Sequence, residues 1–109
     1  MRTIALPAVL ALLAGAVAAQ PIGGLAGLAH GVGVTLSGTV ERILDEDEVL
    51  LADATGTVEV YGSPDLGTRV AVGEAVTVAG LLDDDGALEV YATAVTRADG
   101  TVLRFDPDA

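Results

Sequence analysis

Two short runs of carboxylates are the residues best equipped for chemistry in this chain: Asp45-Glu46-Asp47-Glu48 and Asp83-Asp84-Asp85. Clustered oxygens suit hard cations and positively charged ligands. Neither run has the spaced ligands and distal Glu of a twelve-residue calcium loop, so the plainer use is as solvated turn tips that keep the protein soluble. Two tyrosines sit in similar surroundings, Gly56-Thr-Val-Glu-Val-Tyr61 and Gly86-Ala-Leu-Glu-Val-Tyr91. On strands, both would point outward, where a ring can stack on a ligand or simply suit a pleated surface. The candidate ligand-binding set is therefore Tyr61, Tyr91, Glu59, Asp45, Asp47, Asp83 and Asp85. No metal and no cofactor is assigned to it.

Other chemistries lack their residues. Cysteine is absent, which removes disulfides, thiolate catalysis and zinc knuckles. The lone histidine, His30, precedes the folded region and is expected to be solvated. With Ser37 and Ser63 as the only serines, no nucleophile–base pair can be assembled, so no enzyme activity is expected. Sixteen acidic residues stand against five arginines and no lysine, a formal net charge of −11. A nucleic-acid backbone needs Lys and Arg to displace its counterions, which makes nucleic acid an unlikely partner.

The elements that must position these residues read as strands joined by tight turns. From Val32 the apolar period is two. Val34, Leu36 and Val40 face one way, while Thr35, Ser37, Thr39 and Glu41 face the other. The alternation slips at Arg42, and one extra residue near Glu41–Arg42, a β-bulge, would restore it. Further strands are expected at Val49–Asp53, Thr57–Tyr61, Glu74–Leu82 and Ala87–Thr96, with Thr101–Phe105 following the last turn. The inward set is Val58, Val60, Val76, Val78, Leu88, Val90 and Ala92. Asp53 opens an Asp-Ala-Thr-Gly turn and is expected to bond its backbone. Two Asp-Gly pairs, at 85–86 and 99–100, are hairpin signals. The connector Gly62–Gly73 leaves little room for a full helix. With 109 residues, one domain is expected. Five short strands with an aliphatic core fit a small closed barrel, all-β, with any ligand on the outside.

The first nineteen residues read as a secretory signal peptide. Arg2 is followed by an apolar run to Ala19, and Ala16-Val17-Ala18 is a small-residue cleavage signal. Cleavage would remove one of the five arginines and leave no membrane span. Residues 20–32, rich in Gly and Ala, read as a flexible linker. The barrel is expected over 33–105 and a tail over 106–109. A periplasmic or secreted location follows.

Leu36-Ser37-Gly38-Thr39-Val40, Leu51-Ala52-Asp53-Ala54-Thr55-Gly56-Thr57-Val58-Glu59-Val60, Val76-Thr77-Val78-Ala79-Gly80 and Leu88-Glu89-Val90 follow one another behind that signal. Over residues 33–97 the chain resembles the bacterial OB-fold (BOF) family of small periplasmic proteins, some of them labelled stress-tolerance proteins. The resemblance implies a five-stranded Greek-key barrel, a periplasmic address and no catalytic residues. The short connector departs from the family's usual bridging helix. The function expected is a periplasmic or secreted binding module, in envelope stress tolerance, whose acidic face favours small cationic or polar ligands. The partner would be a small ligand, a cation or an envelope protein. The alternative is a non-catalytic structural or protein-interaction domain with no small-molecule ligand.

Overall fold

The computed structural model describes residues 19–84 and 86–106. Residues 1–18, which carry most of the expected signal peptide, lie outside that range. Six strands form one sheet: β1 (Gly33–Asp45), β2 (Glu48–Asp53), β3 (Gly56–Tyr61), β4 (Ala75–Asp83), β5 (Glu89–Thr96) and β6 (Val102–Arg104). β1 pairs antiparallel with β4 through its first half and with β2 through its second. β2 continues to β3, and β4 to β5. The sheet closes into a five-stranded barrel where β3 meets β5 in parallel, through Glu59–Glu89, Val60–Val90 and Tyr61–Tyr91. β6 extends β5 beyond that point.

One strand serves both sides of the barrel because it is bulged. The β1–β2 register slips between Val40 and Arg42, where the broken alternation placed an extra residue. Gly38, just before the slip, is required by crowding. A Cβ there would lie 2.5 Å from the Ala52 carbonyl oxygen.

The core is aliphatic. Val34, Leu36, Val40, Val58, Val60, Val76, Val78, Val90 and Ala92 are buried as the alternation requires, with Val49 and Leu51 from β2. Leu88, expected inside, packs only partly against this core, because it precedes the first ladder residue of β5. The connector between β3 and β4 holds a single-turn helix, α1 (Leu66–Arg69), whose Leu66 closes one end of the core.

The linker expectation for residues 20–32 fails. Ile22–Gly27 is a 3₁₀ turn whose Ile22 and Leu25 are buried at 2% and 0% exposure. Composition hid this, because two aliphatic side chains among glycines carry no periodic signal. The segment is fixed by polar contacts too. Gln20 and Thr35 exchange two hydrogen bonds, N–H to carbonyl at 2.8 Å and N–H to side-chain oxygen at 2.9 Å. Ile22 N–H donates to Asp53 Oδ2 at 3.0 Å and Gly23 N–H to Thr55 Oγ1 at 2.8 Å. No helix among the described residues is long and apolar enough to cross a membrane.

Candidate functional site

The outward parity of β2, β3 and β5 brings three carboxylates together. Val49 and Leu51 point inward, so Glu48 points out; Val58 and Val60 do the same for Glu59, and Val90 for Glu89. Oxygens of Glu48, Glu59 and Glu89 all lie within 4.8 Å of one another. The register explains the convergence: Glu59 is opposite Glu89 across the parallel pairing, and Glu48 opposes Tyr61 on the other side. All three are half-buried, and none is within ion-pair distance of an arginine among the described residues.

Like charges this close cannot all ionise freely. Burial pushes the Glu89 carboxyl up to about 8, helped by a hydrogen bond with Glu48 and by repulsion from Glu48, Glu59 and Asp83.

The tyrosines complete the face. Tyr61 and Tyr91 are paired in the β3–β5 register, with ring centroids 5.4 Å apart and planes inclined by 45°. This is the tilted geometry that favours aromatic pairs. Burial raises the Tyr91 phenol, and the charges of Asp83 and Glu89 raise it further, so it is neutral at pH 7. Leu81, opposite Tyr91 in β4, is 42% exposed and adds apolar surface beside the rings.

The structure divides the residues singled out from the sequence. Tyr61, Tyr91 and Glu59 are brought together, and Asp83 lies at their edge, opposite Glu89. Asp45 and Asp47 are committed to the backbone instead. Asp45 Oδ1 accepts from Asp47 N–H at 2.9 Å, and Asp47 Oδ1 accepts from Asp65 N–H at 2.6 Å, tying the β1–β2 turn to the connector. Asp85 lies outside the described residues. Glu48 and Glu89 were missed as candidates. Glu48 reads in the sequence as the last residue of an acidic turn and Glu89 as an ordinary strand Glu, and only the β2–β3 and β3–β5 registers join them. His30, expected to be solvated without a partner, is half-exposed but approaches Asp83 Oδ1 at 3.3 Å and Asp84 Oδ1 at 3.1 Å. It tethers the N-terminal arm to the β4–β5 loop.

Three carboxylates with no backbone carbonyl or amide oxygen in the set make a sparse shell for calcium, which takes six to eight oxygens. An organic cation fits this donor set better. Its N–H groups can be shared among the carboxylates while its carbon skeleton lies against the rings. A separate shallow groove of about 450 Å³ crosses the β1–β4 face, lined by Ser37, Thr39, Thr77, Thr96 and Arg97. Its one cation is engaged: Arg97 Nε donates to Glu74 Oε2 at 3.0 Å.

No family model and no curated protein sequence matches this chain. Solved structures do. The hypothetical protein ygiW from E. coli is similar with a TM-score of 0.63 and 22% identity, over 75% of this chain and 91% of that one. The telomere capping protein Ten1 from Saccharomyces pombe is similar with a TM-score of 0.61 and 19% identity, over 76% and 84% of the two chains. OBody AM1L10, in its structure bound to hen egg-white lysozyme, has a TM-score of 0.56 and 18% identity, over 82% and 99%. At such identities the likeness speaks for the fold alone, and together with the strand order and the parallel β3–β5 closure it shows that the chain is an OB-fold barrel.

Proposed function

We propose that this domain is a non-catalytic binding module that takes an organic cation, a primary amine or a guanidinium, on the outer face where β2, β3 and β5 meet. One observation carries the reading. Glu48, Glu59 and Glu89 converge beside the Tyr61–Tyr91 pair with no arginine in ion-pair reach among the described residues. Such a face attracts cations and repels phosphate backbones, so nucleic acid is not the proposed ligand even though Ten1 shares the fold. The apolar start of the chain supports a periplasmic or secreted location, and the resemblance to small periplasmic OB-fold proteins supports a role in envelope stress tolerance.

The test is a thermal melt of the domain with spermidine, putrescine or argininamide at low ionic strength, alongside calcium and sodium at matched ionic strength. The amines should raise the midpoint in a saturable way, and a Glu48→Gln/Glu59→Gln variant should lose the effect. Equal shifts with sodium would reduce the effect to screening, and a larger shift with calcium would reassign the face to a metal.

A second reading is supported by Leu81, whose exposed side chain enlarges the face beyond a small amine. There the cation is an Arg or Lys side chain of a partner protein. The similar Ten1 fold in the Stn1–Ten1 complex and the OBody bound to lysozyme are precedents for OB-folds in protein complexes. Co-purification of one envelope protein, lost in the same double variant, would favour it over the free amine.

A further inference from the structure

We propose that the β3–β5 junction is a proton-dependent closure of the barrel: a proton shared among Glu48, Glu59 and Glu89 keeps the junction shut, and loss of that proton loosens the pairs that join β3 to β5. The junction is the weakest part of the ring. It runs through three parallel pairs only, Glu59–Glu89, Val60–Val90 and Tyr61–Tyr91, whereas β1–β4 and β4–β5 are joined along seven pairs each. Parallel pairing is also slightly weaker per residue than antiparallel.

Charge concentrates on the outside of this short junction. Glu48 faces Glu89 from β2, Glu59 and Tyr61 face it from β3, Asp83 from β4, and Tyr91 lies beside it on β5. The nearest imidazole, His30 of the N-terminal arm, is engaged by Asp83 and Asp84. With no arginine in ion-pair reach among the described residues, a proton is the positive charge on hand. Deprotonation leaves an uncompensated set of carboxylates across the one place where β3 and β5 are held. Val60 and Val90, both fully buried, hold the inner side of the same pairs together. Loss of the proton therefore loosens the outer side of the junction without dissolving the core. The upward displacement of the Glu89 carboxyl agrees with this geometry and places the change near the upper end of the physiological pH range.

Hydrogen exchange resolved by residue tests the closure. Amide protection is compared from pH 6 to 9, corrected for the intrinsic base catalysis of exchange, in wild type, Glu89→Gln and Glu48→Gln. In wild type, protection at residues 59–61 and 89–91 should fall by about tenfold relative to the β1–β4 ladder. The fall should vanish in Glu89→Gln and shrink in Glu48→Gln. Tyrosine emission offers a second readout, since Tyr61 and Tyr91 are the only tyrosines and there is no tryptophan. It should change over the same pH range in wild type, less in Glu48→Gln and not in Glu89→Gln. Constant relative protection would overturn the proposal, as would an unchanged fall in Glu89→Gln or a fall shared equally by β1–β4. Should Glu89→Gln not fold, Glu48→Gln carries the comparison.

Discussion

Asp53 shows how much one side chain can organise. Its Oδ1 accepts from Thr55 N–H at 2.7 Å and Gly56 N–H at 3.1 Å, the turn bonds expected from Asp-Ala-Thr-Gly. Its Oδ2 reaches across to Ile22 N–H, a bond invisible in the local sequence. The Ile22 amide is the main reason the Asp53 carboxyl is held below the usual range, with the Thr55 hydroxyl next. A lowered folded value means that the stabilisation is present above the unfolded value near 3.9 and is lost as pH falls through the folded one. Asp53→Ala should therefore melt well below wild type at pH 7, and the gap should narrow as pH falls below the unfolded value. Amide exchange should accelerate at Ile22 and Gly56 together. A gap that is the same at pH 2.5 and pH 7 would mean that the carboxylate charge contributes nothing.

At the scale of elements, the 3₁₀ turn and β4 make contrasting predictions. Leu25 is fully buried and Leu81 is largely exposed. If the N-terminal segment is part of the core, Leu25→Ala should cost about 2–5 kcal/mol, as large-to-small core changes do. Leu81→Ala should stay within about 0.5 kcal/mol. Equal, small effects in denaturant titrations would return residues 22–27 to linker status. Val90 makes the opposite case, because it is fully buried on the strand that closes the ring. Val90→Asp buries an unpaired carboxylate at a cost of several kcal/mol, comparable with the stability of a small domain. Far-ultraviolet dichroism should show an unfolded chain, and a folded variant would contradict the β5 register. Gly38→Ala should cost about 1–3 kcal/mol by overpacking against the Ala52 carbonyl.

The whole molecule carries a formal charge of −11, and three of its carboxylates converge at the β3–β5 closure. Because the Glu89 carboxyl is raised to about 8, its contribution is complete below the unfolded value and is lost as pH rises towards 8. Stability should therefore decline from about pH 5 to pH 8, and Glu89→Gln should be more stable than wild type at the upper end. Salt should recover part of the decline by screening. Exposed pairs are worth about 0–1 kcal/mol each, so the recovery in a domain this size should be about 4–8 °C per kcal/mol regained. Melts at pH 5 and pH 8, with and without 0.2 M sodium chloride (roughly a 7 Å screening length), make the check. Salt independence at pH 8 would mean that the carboxylates are too well hydrated to repel one another. Export bears on the same scale. If the proposed export takes place, mass spectrometry of the protein recovered from outside the cytoplasm should find an N-terminus at Ala19 or Gln20, next to the first residue docked on β1.

Local rules carried most of the fold. Alternation of Val and Leu with Thr, Ser and Glu located the strands, because a side-chain period of two is a property of the extended backbone itself. The slip at Arg42 revealed the bulge for the same reason. The missing cysteines removed disulfide and thiolate chemistry without any structure. The outward direction of Tyr61, Tyr91 and Glu59 was equally local. What the strands do next is not. Glu59 and Glu89 are thirty residues apart, and nothing near either one specifies the parallel pairing that places them side by side. Ile22 and Leu25 looked like linker because burial depends on the barrel end they fill rather than on their neighbours in the chain. Asp45 and Asp47 read as loop carboxylates in the sequence, and only the fold shows that one oxygen of each accepts from a backbone N–H of the turn or the connector. Charge, strand direction and turns are short-range properties that a sequence displays. Convergence of three carboxylates is a long-range property, set only when the sheet closes on itself.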